Sequence, residues 1–275
     1  MDIGLDAAGN GVGVNSMVLT IDVGNTNINC GLFAKSDLVT TFRLTSKQAS
    51  TSDEYGMALV NLLRINNLDK SDITGIVLAS VVPGVMHALI GALTRYIGKA
   101  PLIIGPGVKT GIKITTENPR EIGANRIATA VAGYELYGGP VLVLDFGTAT
   151  TYDLVSADGC FCAGVTAPGL RISAKAMWEK TARLPEVEIK KPKSILAQET
   201  VSSIQAGLVY GQIGQTEYII NQVKKETGYT DLKVVATGGL GRIIAAETDT
   251  IQMFNSHLTL EGMRMIYEKN EKLPQ

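Results

Sequence analysis

Two stretches of the chain combine an acid, a glycine and small polar side chains directly after an apolar run. The first is Met17-Val-Leu-Thr-Ile-Asp-Val-Gly-Asn-Thr-Asn27, and the second is Val141-Leu-Val-Leu-Asp-Phe-Gly-Thr-Ala-Thr-Thr151. Their acids, Asp22 and Asp145, are 123 residues apart. Each stretch predicts a buried strand that ends in a tight turn, and the repeat at nearly half the chain length indicates two similar halves.

These turns have the composition of a phosphate-binding site. A glycine beside a strand end lets backbone N–H groups approach an anion closely, and threonine and asparagine add neutral donors. Aspartate repels phosphate, but it can hold a divalent metal ion or its waters against phosphate oxygens. Two such turns that face each other would bind a nucleotide polyphosphate. For either turn alone an ordinary strand-to-turn junction is the alternative, and the repetition favours the phosphate site.

Composition and charge argue against several classes of protein. The chain has 275 residues, of which 45% are hydrophobic and 19% charged, and its formal net charge is -1. Because it has no long basic run, we expect no nucleic-acid or membrane partner, and no apolar stretch approaches the roughly 20 residues of a membrane span. Three cysteines and two histidines lack metal-site spacing, so we expect reduced thiols in a cytoplasmic protein without a zinc site or a histidine-based triad.

The first sixteen residues differ from the rest. They are rich in glycine, alanine, asparagine and aspartate and have neither a basic nor an apolar region of the kind found in signal peptides. Met17 directly precedes the first predicted strand. We interpret residues 1–16 as an N-terminal extension, either a remnant added before Met17 or a native flexible tail.

Hydrophobic periodicity predicts the elements that carry the first turn. In order they are strands at 27–33 and 38–44, a helix at 51–66, a strand at 73–82, a helix at 85–97, a short strand at 101–104 and a helix at 121–137. The first three strands form an antiparallel meander, and the next strand, helix and strand form a βαβ unit. The alanine-rich helix that starts at Glu121 would offer its N-terminal N–H groups to an anion.

The second half repeats this order. The predicted elements are strands at 141–145, 149–156 and 160–166, a helix at 167–180, a connector at 185–192, a helix at 200–226, a strand at 232–236, a third glycine turn at 237–241 and a helix at 258–268. The glycine turn, Thr237-Gly-Gly-Leu-Gly241, is a further place where backbone can approach a ligand.

Four motifs, in their order and spacing, resemble those of type III pantothenate kinases. They are Asp22-Val-Gly-Asn-Thr-Asn27, Glu117-Asn-Pro-Arg-Glu-Ile-Gly-Ala-Asn-Arg126, Asp145-Phe-Gly-Thr-Ala-Thr-Thr151 and Ala167-Pro-Gly-Leu170. The resemblance covers residues 17–270. It implies an α/β, duplicated ribonuclease H-like fold of the actin-like ATPase superfamily, with mixed sheets flanked by helices and with domains at 17–140 and 141–275.

The same resemblance implies a homodimer that phosphorylates pantothenate with ATP to 4′-phosphopantothenate, the first step of coenzyme A biosynthesis. It gives the following roles: ATP phosphates on Asp22, Gly24, Asn25, Thr26, Asn27, Gly147 and Thr148; adenine near Gly238 and Gly239; Mg²⁺ through water on Asp22; a monovalent cation, K⁺ or NH₄⁺, at Asp145; and pantothenate on Gly123, Arg126 and, across the dimer interface, Thr200.

Arg126 also suits a carboxylate on physical grounds. It lies in the predicted first turn of a helix and offers a bidentate fork that adds to the positive end of the helix. The alternative is a surface ion pair with Glu121 or Glu117. For the loop lysines Lys109 and Lys113 the favoured interpretation is simple solvation.

The chain departs from the family pattern at Asn125, where the family has the aspartate taken as the general base. An amide cannot accept the pantothenate hydroxyl proton. General-base removal typically costs about 10²- to 10⁴-fold, whereas most of the work in phosphoryl transfer is positioning and charge neutralisation, so a slow kinase is physically reasonable. An engineered substitution, natural loss of catalysis and rescue by Glu121 all remain open. Ala163 replaces a family glycine, which concerns local loop geometry only.

Two other functions stay open at this point. A non-catalytic paralogue could bind nucleotide or pantothenate as a regulator, which Asn125 motivates. A small sugar or polyol kinase of the same superfamily is the other alternative, and the shortness of the chain argues against it.

Overall fold

The computed structural model describes residues 16–271 of the chain. Ser16 is the one described residue of the predicted N-terminal extension, and the rest of that prediction lies outside the described residues. The described part forms two sheets, each with helices on its outer face, and a pair of helices between the sheets. None of the described helices is long and apolar enough to cross a membrane.

A five-stranded mixed sheet carries the first Asp-Gly turn. Its strands are β1 (Met17–Val23), β2 (Asn27–Ala34), β3 (Asp37–Thr45), β4 (Ile73–Ser80) and β5 (Leu102–Ile103). Their order is β3-β2-β1-β4-β5, in which β1, β2 and β3 are antiparallel and β4 and β5 run parallel to β1. The helices α1 (Ser52–Ile65) and α2 (Pro83–Ala92) close an apolar core on the outer face. The predicted meander and βαβ unit are both present.

A six-stranded mixed sheet carries the second turn. Its strands are β6 (Lys113–Ile114), β7 (Val141–Phe146), β8 (Ala149–Val155), β9 (Cys160–Pro168), β10 (Lys233–Thr237) and β11 (Met253–Phe254). Their order is β11-β10-β7-β8-β9-β6, with β8 antiparallel to both β7 and β9. On the outer face lie α4 (Leu170–Lys180), α5 (Thr200–Thr227) and α6 (Gly241–Ala245). The predicted repeat of the first half is therefore confirmed, with β11 and α6 as short additions that the periodicity did not predict.

The helices α3 (Ala124–Tyr137) and α7 (Leu258–Glu271) form the layer between the two sheets. Their apolar faces share one core with Val77 and Ala79 of β4 and with Val141 and Val143 of β7. Seven consecutive residues of α3, 127–133, are buried, and the small size of most of them lets α3 pack closely on all sides. The predicted start of the helix at Glu121 was wrong: residues Pro119–Glu121 form a 3₁₀ turn, and α3 begins at Ala124.

One element from each half of the sequence packs on the sheet of the other half. The short strand β6 pairs with β9 of the second sheet, and α7 packs against β1 and β4 of the first. The loop before β6 is held to α7, because the side chain of Asn270 bonds both the N–H of Lys109 (3.1 Å) and its carbonyl (2.9 Å). Each half of the sequence thus supplies a piece of the other half's structure.

The contact between α3 and α7 predicts a large effect of one methyl group. A Cβ at Gly262 would lie 1.8 Å from the carbonyl oxygen of Ala128, so Gly262→Ala must push the helices apart. We expect a loss of about 1 to 3 kcal/mol of unfolding free energy, the usual cost of overpacking, measured by urea denaturation. Gly214→Ala is the matched control, since Gly214 lies in α5 with open space around it and alanine favours a helix. Equal stability of the two variants would contradict the predicted contact.

Candidate active site

The first Asp-Gly turn joins β1 to β2. The N–H of Gly24 donates to the carbonyl of Asn27 (2.9 Å), which closes the turn, and a Cβ at Gly24 would approach that oxygen to 3.2 Å. Asn25 and Thr26 are exposed at its tip. Asp22 lies just inside, one residue before the end of β1. The turn therefore presents the small polar side chains of Asn25 and Thr26 beside a carboxylate.

A row of side chains across three strands orients Asp22. Asn29 pairs with Asp22 in the β1–β2 register, and Arg43 pairs with Asn29 in the β2–β3 register. The amide of Asn29 donates to Oδ2 of Asp22 (3.4 Å), and Nε of Arg43 donates to Oδ1 of Asn29 (2.9 Å). Sequence reasoning missed Asn29 and Arg43, although the cross-strand register of the predicted meander could have indicated them.

The second Asp-Gly turn joins β7 to β8 and is enclosed by two further glycines. The N–H of Gly147 donates to the carbonyl of Ala149 (3.1 Å), and Thr148 is exposed. A Cβ at Gly169, directly before α4, would lie 2.3 Å from the carbonyl oxygen of Thr148. Gly238, with φ +92°, lies against Asp145, since a Cβ there would be 2.6 Å from its Oδ1. The structure thus brings the second phosphate motif, the Ala167-Pro-Gly-Leu170 motif and the third glycine turn together.

The carboxylates of both turns have raised pKa values. Burial raises the pKa of Asp22 to about 6, against the hydrogen bond from Asn29 that lowers it. Burial also raises the pKa of Asp145, to about 7, and the negative charges of Asp22 and Asp153 raise it further. The negative charge of Asp22 therefore disfavours the charged form of Asp145. A cation between them would relieve this repulsion.

The N-terminus of α3 lies beside the first turn. The N–H of Val81, just after β4, donates to the carbonyl of Val23 (3.1 Å), and Cγ1 of Val81 would be 3.5 Å from a Cβ at Gly123. Gly123 is the N-cap of α3, and no side chain caps this end. The first-turn N–H groups and the positive end of the helix are consequently available to an anion. Asn125, half-buried in this turn, folds its side chain back toward Gly123.

Arg126 pairs with a buried acid that the sequence analysis did not consider. Nε of Arg126 donates to Oδ1 (3.1 Å) and Oδ2 (3.2 Å) of Asp153, and Nη2 also bonds Oδ1. The alternative ion pair with Glu121 or Glu117 was wrong, because both glutamates lie exposed ahead of α3. Asp153 had a visible signal, since it is a charged residue within the apolar strand that follows the second motif.

The remaining predicted residues lie at the periphery. Thr200 is exposed at the first residue of α5, and within residues 16–271 its side chain has no hydrogen bond to the other site residues. Gly239 has open space around it. Lys109 and Lys113 are exposed, in accord with the solvation predicted for them. Among the described residues, no group of three or more histidine, cysteine or acidic side chains is arranged to hold a metal ion by itself.

Two similar mixed sheets, each with an Asp-Gly turn and flanking helices, define the α/β fold of the actin-like ATPase class. A Listeria monocytogenes protein assigned as an N-acetylmannosamine kinase, Lmo2764, shares the fold with a TM-score of 0.52 at 14% identity, covering 93% of this chain and all of its own. A Campylobacter jejuni protein assigned to the Baf family of transcriptional activators has a TM-score of 0.57 at 21% identity, again over 93% and 100% of the two chains.

The particular family follows from sequence comparison. The model of the type III pantothenate kinase family matches residues 18–222. The type III pantothenate kinase of Agathobacter rectalis is 57% identical over 256 residues, which cover 93% of this chain and 98% of that enzyme. The chain belongs to the type III pantothenate kinase family, as the four motifs predicted.

The two raised pKa values predict a pH-dependent stability. An acid whose pKa is higher in the folded state keeps a proton that the unfolded chain releases, so the free energy of unfolding falls as pH rises from about 4 to about 7. In the Asp145→Asn variant the free energy of unfolding should fall less over the same pH range. At pH 8, without nucleotide, Mg²⁺, K⁺ or NH₄⁺, we expect the variant to melt about 2 to 4 °C above wild type, the shift that 1 kcal/mol produces in a chain of this size.

The control for this measurement is Asp37→Asn, which removes an exposed carboxylate far from the turns. It should leave the pH profile of the melting temperature as in wild type. A profile for Asp145→Asn that parallels wild type from pH 4 to 8 would show that Asp145 does not carry the repulsion.

Proposed function

We propose that this chain transfers the γ-phosphoryl group of ATP to the primary hydroxyl of pantothenate, giving 4′-phosphopantothenate in the first step of coenzyme A biosynthesis. The observation that carries the proposal is the pair of Asp-Gly turns, the first of them beside the start of α3, in a chain of the type III pantothenate kinase family. The hydroxyl oxygen bonds the γ-phosphorus, the bond to the β,γ-bridging oxygen breaks, and ADP leaves.

The nucleotide would lie across both turns. Gly24, Asn25, Thr26 and Asn27 would contact the phosphates from the first sheet, and Gly147 and Thr148 would contact them from the second. Gly238 and Gly239 would lie near the adenine. The exposed positions of Thr26, Thr148 and Gly239 support this assignment, because these groups are free to meet a ligand.

Two cations fit the carboxylates. Asp22 would hold Mg²⁺ through a water, and Asp145 would hold K⁺ or NH₄⁺. The negative charge of Asp22 raises the pKa of Asp145, which supports a positive charge near Asp145. Mg²⁺ usually keeps several waters and binds one or two carboxylates plus substrate phosphates, which suits a site without a protein-only metal cage in the described residues. When bound, it would neutralise the charge of the phosphates.

Pantothenate would bind at the start of α3. Gly123 and the N–H groups of the first helical turn of α3 would line the pantothenate site, and Arg126 would bind the pantothenate carboxylate. This contact with Arg126 would direct the pantothenate hydroxyl toward the two Asp-Gly turns. Asn125 can donate or accept a hydrogen bond at that hydroxyl but cannot take its proton, so the proton would leave to the transferred phosphoryl group or to solvent. We therefore expect turnover with a low kcat.

A homodimer is supported by an exposed apolar surface on the second domain. We call it the α4 face, and it comprises Val165, Ile172, Trp178 and Val201, each more than 40% exposed. Exposed large apolar side chains can be covered by a partner, which supports a second copy of the chain at this surface. Thr200 adjoins Val201, so a partner docked on the α4 face could place Thr200 at the other subunit's pantothenate.

A cytoplasmic setting and the domain bounds 17–140 and 141–275 complete the proposal. The three free cysteines support a reducing compartment, and the small net charge supports the expectation that neither nucleic acid nor membrane is a partner. Each proposed domain contributes one turn.

The second candidate function is a non-catalytic regulator that binds nucleotide or pantothenate, and Asn125 is the observation in its favour.

The kinase proposal predicts that Asn125 limits turnover. With pantothenate, ATP, Mg²⁺ and K⁺ or NH₄⁺, Asn125→Asp should raise the kcat for ADP release by about 10²- to 10⁴-fold, because a carboxylate restores the general base. Asn125→Ala, which removes the hydrogen bond as well, should fall below the wild-type rate. Polyols in place of pantothenate should give no turnover.

The kinase assignment would fail if neither the wild-type chain nor Asn125→Asp released ADP above background. Calorimetry then separates the second candidate: binding of ATP or pantothenate without turnover in either chain would favour the regulator.

The dimer proposal predicts complementation between two inactive chains. Thr200→Ala and Asp22→Asn homodimers should each be impaired, but a mixed dimer has one site with an intact Asp22 from one chain and an intact Thr200 from the other. After statistical exchange, about one quarter of the sites should be intact and the activity should recover accordingly. Co-purification of the two chains through different affinity tags should confirm the mixed dimer. Full mixing without recovery would mean that Thr200 does not serve the partner's site.

A further inference from the structure

Asp153 is a buried acid in the site to which the proposed reaction gives no task. It lies in β8 and is 2% exposed. Its oxygens accept from Nε and Nη2 of Arg126 and, at 3.4 Å, from the hydroxyl of Thr151. Burial raises its pKa above the ordinary value, and the hydrogen bond and positive charge of Arg126 oppose that rise.

The pairing uses only one edge of the guanidinium. An arginine has five N–H donors in a rigid fork, and Asp153 takes the edge formed by Nε and Nη2. The other edge, formed by Nη1 and the second hydrogen of Nη2, remains, and the Arg126 side chain is 24% exposed. Phe161 lies against the group, with its ring centre 5.9 Å from Cζ. Arg126 is thus fixed on one edge and open on the other.

Gly164 makes room for this arrangement. It lies opposite Asp153 in the β8–β9 register, and a Cβ there would be 2.4 Å from Nη2 of Arg126 and 2.9 Å from Oδ1 of Asp153. Any side chain at this position would displace the guanidinium from the carboxylate. The strand β9 is therefore shaped around the ion pair.

We propose that Asp153 is a positioning residue that holds Arg126 with its free edge toward the carboxylate of the substrate. The proposal rests on the assignment of pantothenate to Arg126. A flexible arginine would lose side-chain freedom when it binds, whereas one already fixed by Asp153 has lost it during folding, so the substrate carboxylate meets a preorganised bidentate donor. Asp153 therefore acts on pantothenate affinity and not on nucleotide affinity.

The test is a double-mutant cycle measured as binding, which does not require turnover. In the full-length chain, Asp153→Asn should raise the Kd of pantothenate, measured by calorimetry, about 10- to 100-fold and leave the Kd of ATP within about twofold. In an Arg126→Gln background, which is itself weakened toward pantothenate, Asp153→Asn should change the Kd by less than about twofold. Equal losses in both backgrounds, or a matching loss for ATP, would overturn the positioning role.

Gly164→Ala tests the same contact without removing a charge. Its methyl group should displace the guanidinium and raise the Kd of pantothenate but not that of ATP. The oligomeric state in sedimentation should stay as in wild type. The control Gly214→Ala should leave the Kd of both ligands unchanged. If Asp153→Asn does not fold, this variant decides: normal pantothenate affinity in a dimeric Gly164→Ala chain overturns the proposal. If Arg126→Gln binds pantothenate as tightly as wild type, the substrate assignment fails, and the role of Asp153 with it.

Discussion

The backbones of α3 and α7 touch where Gly262 meets the carbonyl of Ala128, and the geometry of the site depends on this contact. The two helices lie between the sheets, so their separation sets the distance between the sheets. A hydrogen bond between the hydroxyls of Thr129 and Thr259 (2.9 Å) joins them again one residue further along α3, and the Thr129 hydroxyl also donates to the carbonyl of Asn125 (2.7 Å). Packing in the middle of the molecule is in this way connected to the first turn of α3.

The site itself is built on unbalanced charge. The negative charges of Asp22 and Asp153 act on Asp145, and in the described residues only Asp153 of these three carboxylates is paired with a guanidinium. Burial without a counter-charge disfavours the charged form, which is why the pKa values of Asp22 and Asp145 rise. A site of this kind suits a ligand that brings its own cations, as a magnesium nucleotide does.

Asn125 stands out because the structure around it is intact. The glycine turns are closed, Arg126 is held in place, and the start of α3 is uncapped and open to an anion. The chain therefore retains the parts proposed to bind and position phosphate, and one amide stands where the proposed reaction would use a proton acceptor. Positioning and electrostatics dominate phosphoryl transfer, so we expect such a chain to keep its affinity for substrates and to have a lower kcat.

Much of the fold followed from local sequence. Alternating and continuous apolar runs predicted the long strands, and Thr51 with Glu54 forms the capping box that starts α1. The two-residue strands β5 and β11 and the five-residue helix α6 are too short to give a period of their own, and only β5 was predicted. The placement of β6 and α7 on the other half's sheet was not predictable, because periodicity shows that a face is apolar but not which surface covers it.

The sequence by itself determined which residues could bind phosphate: Asp22, Asp145 and the glycines beside them were identified by residue type and spacing, since tight turns and carboxylates have local signatures. Only the tertiary structure decided their partners. The ion pair of Arg126 and Asp153 joins residues 27 positions apart, on a helix and a strand of the opposite sheet, and Gly238 meets Asp145 from a turn that lies farther still along the chain. Such pairings arise from packing and register, which bring distant residues into contact and leave no periodic trace in the sequence.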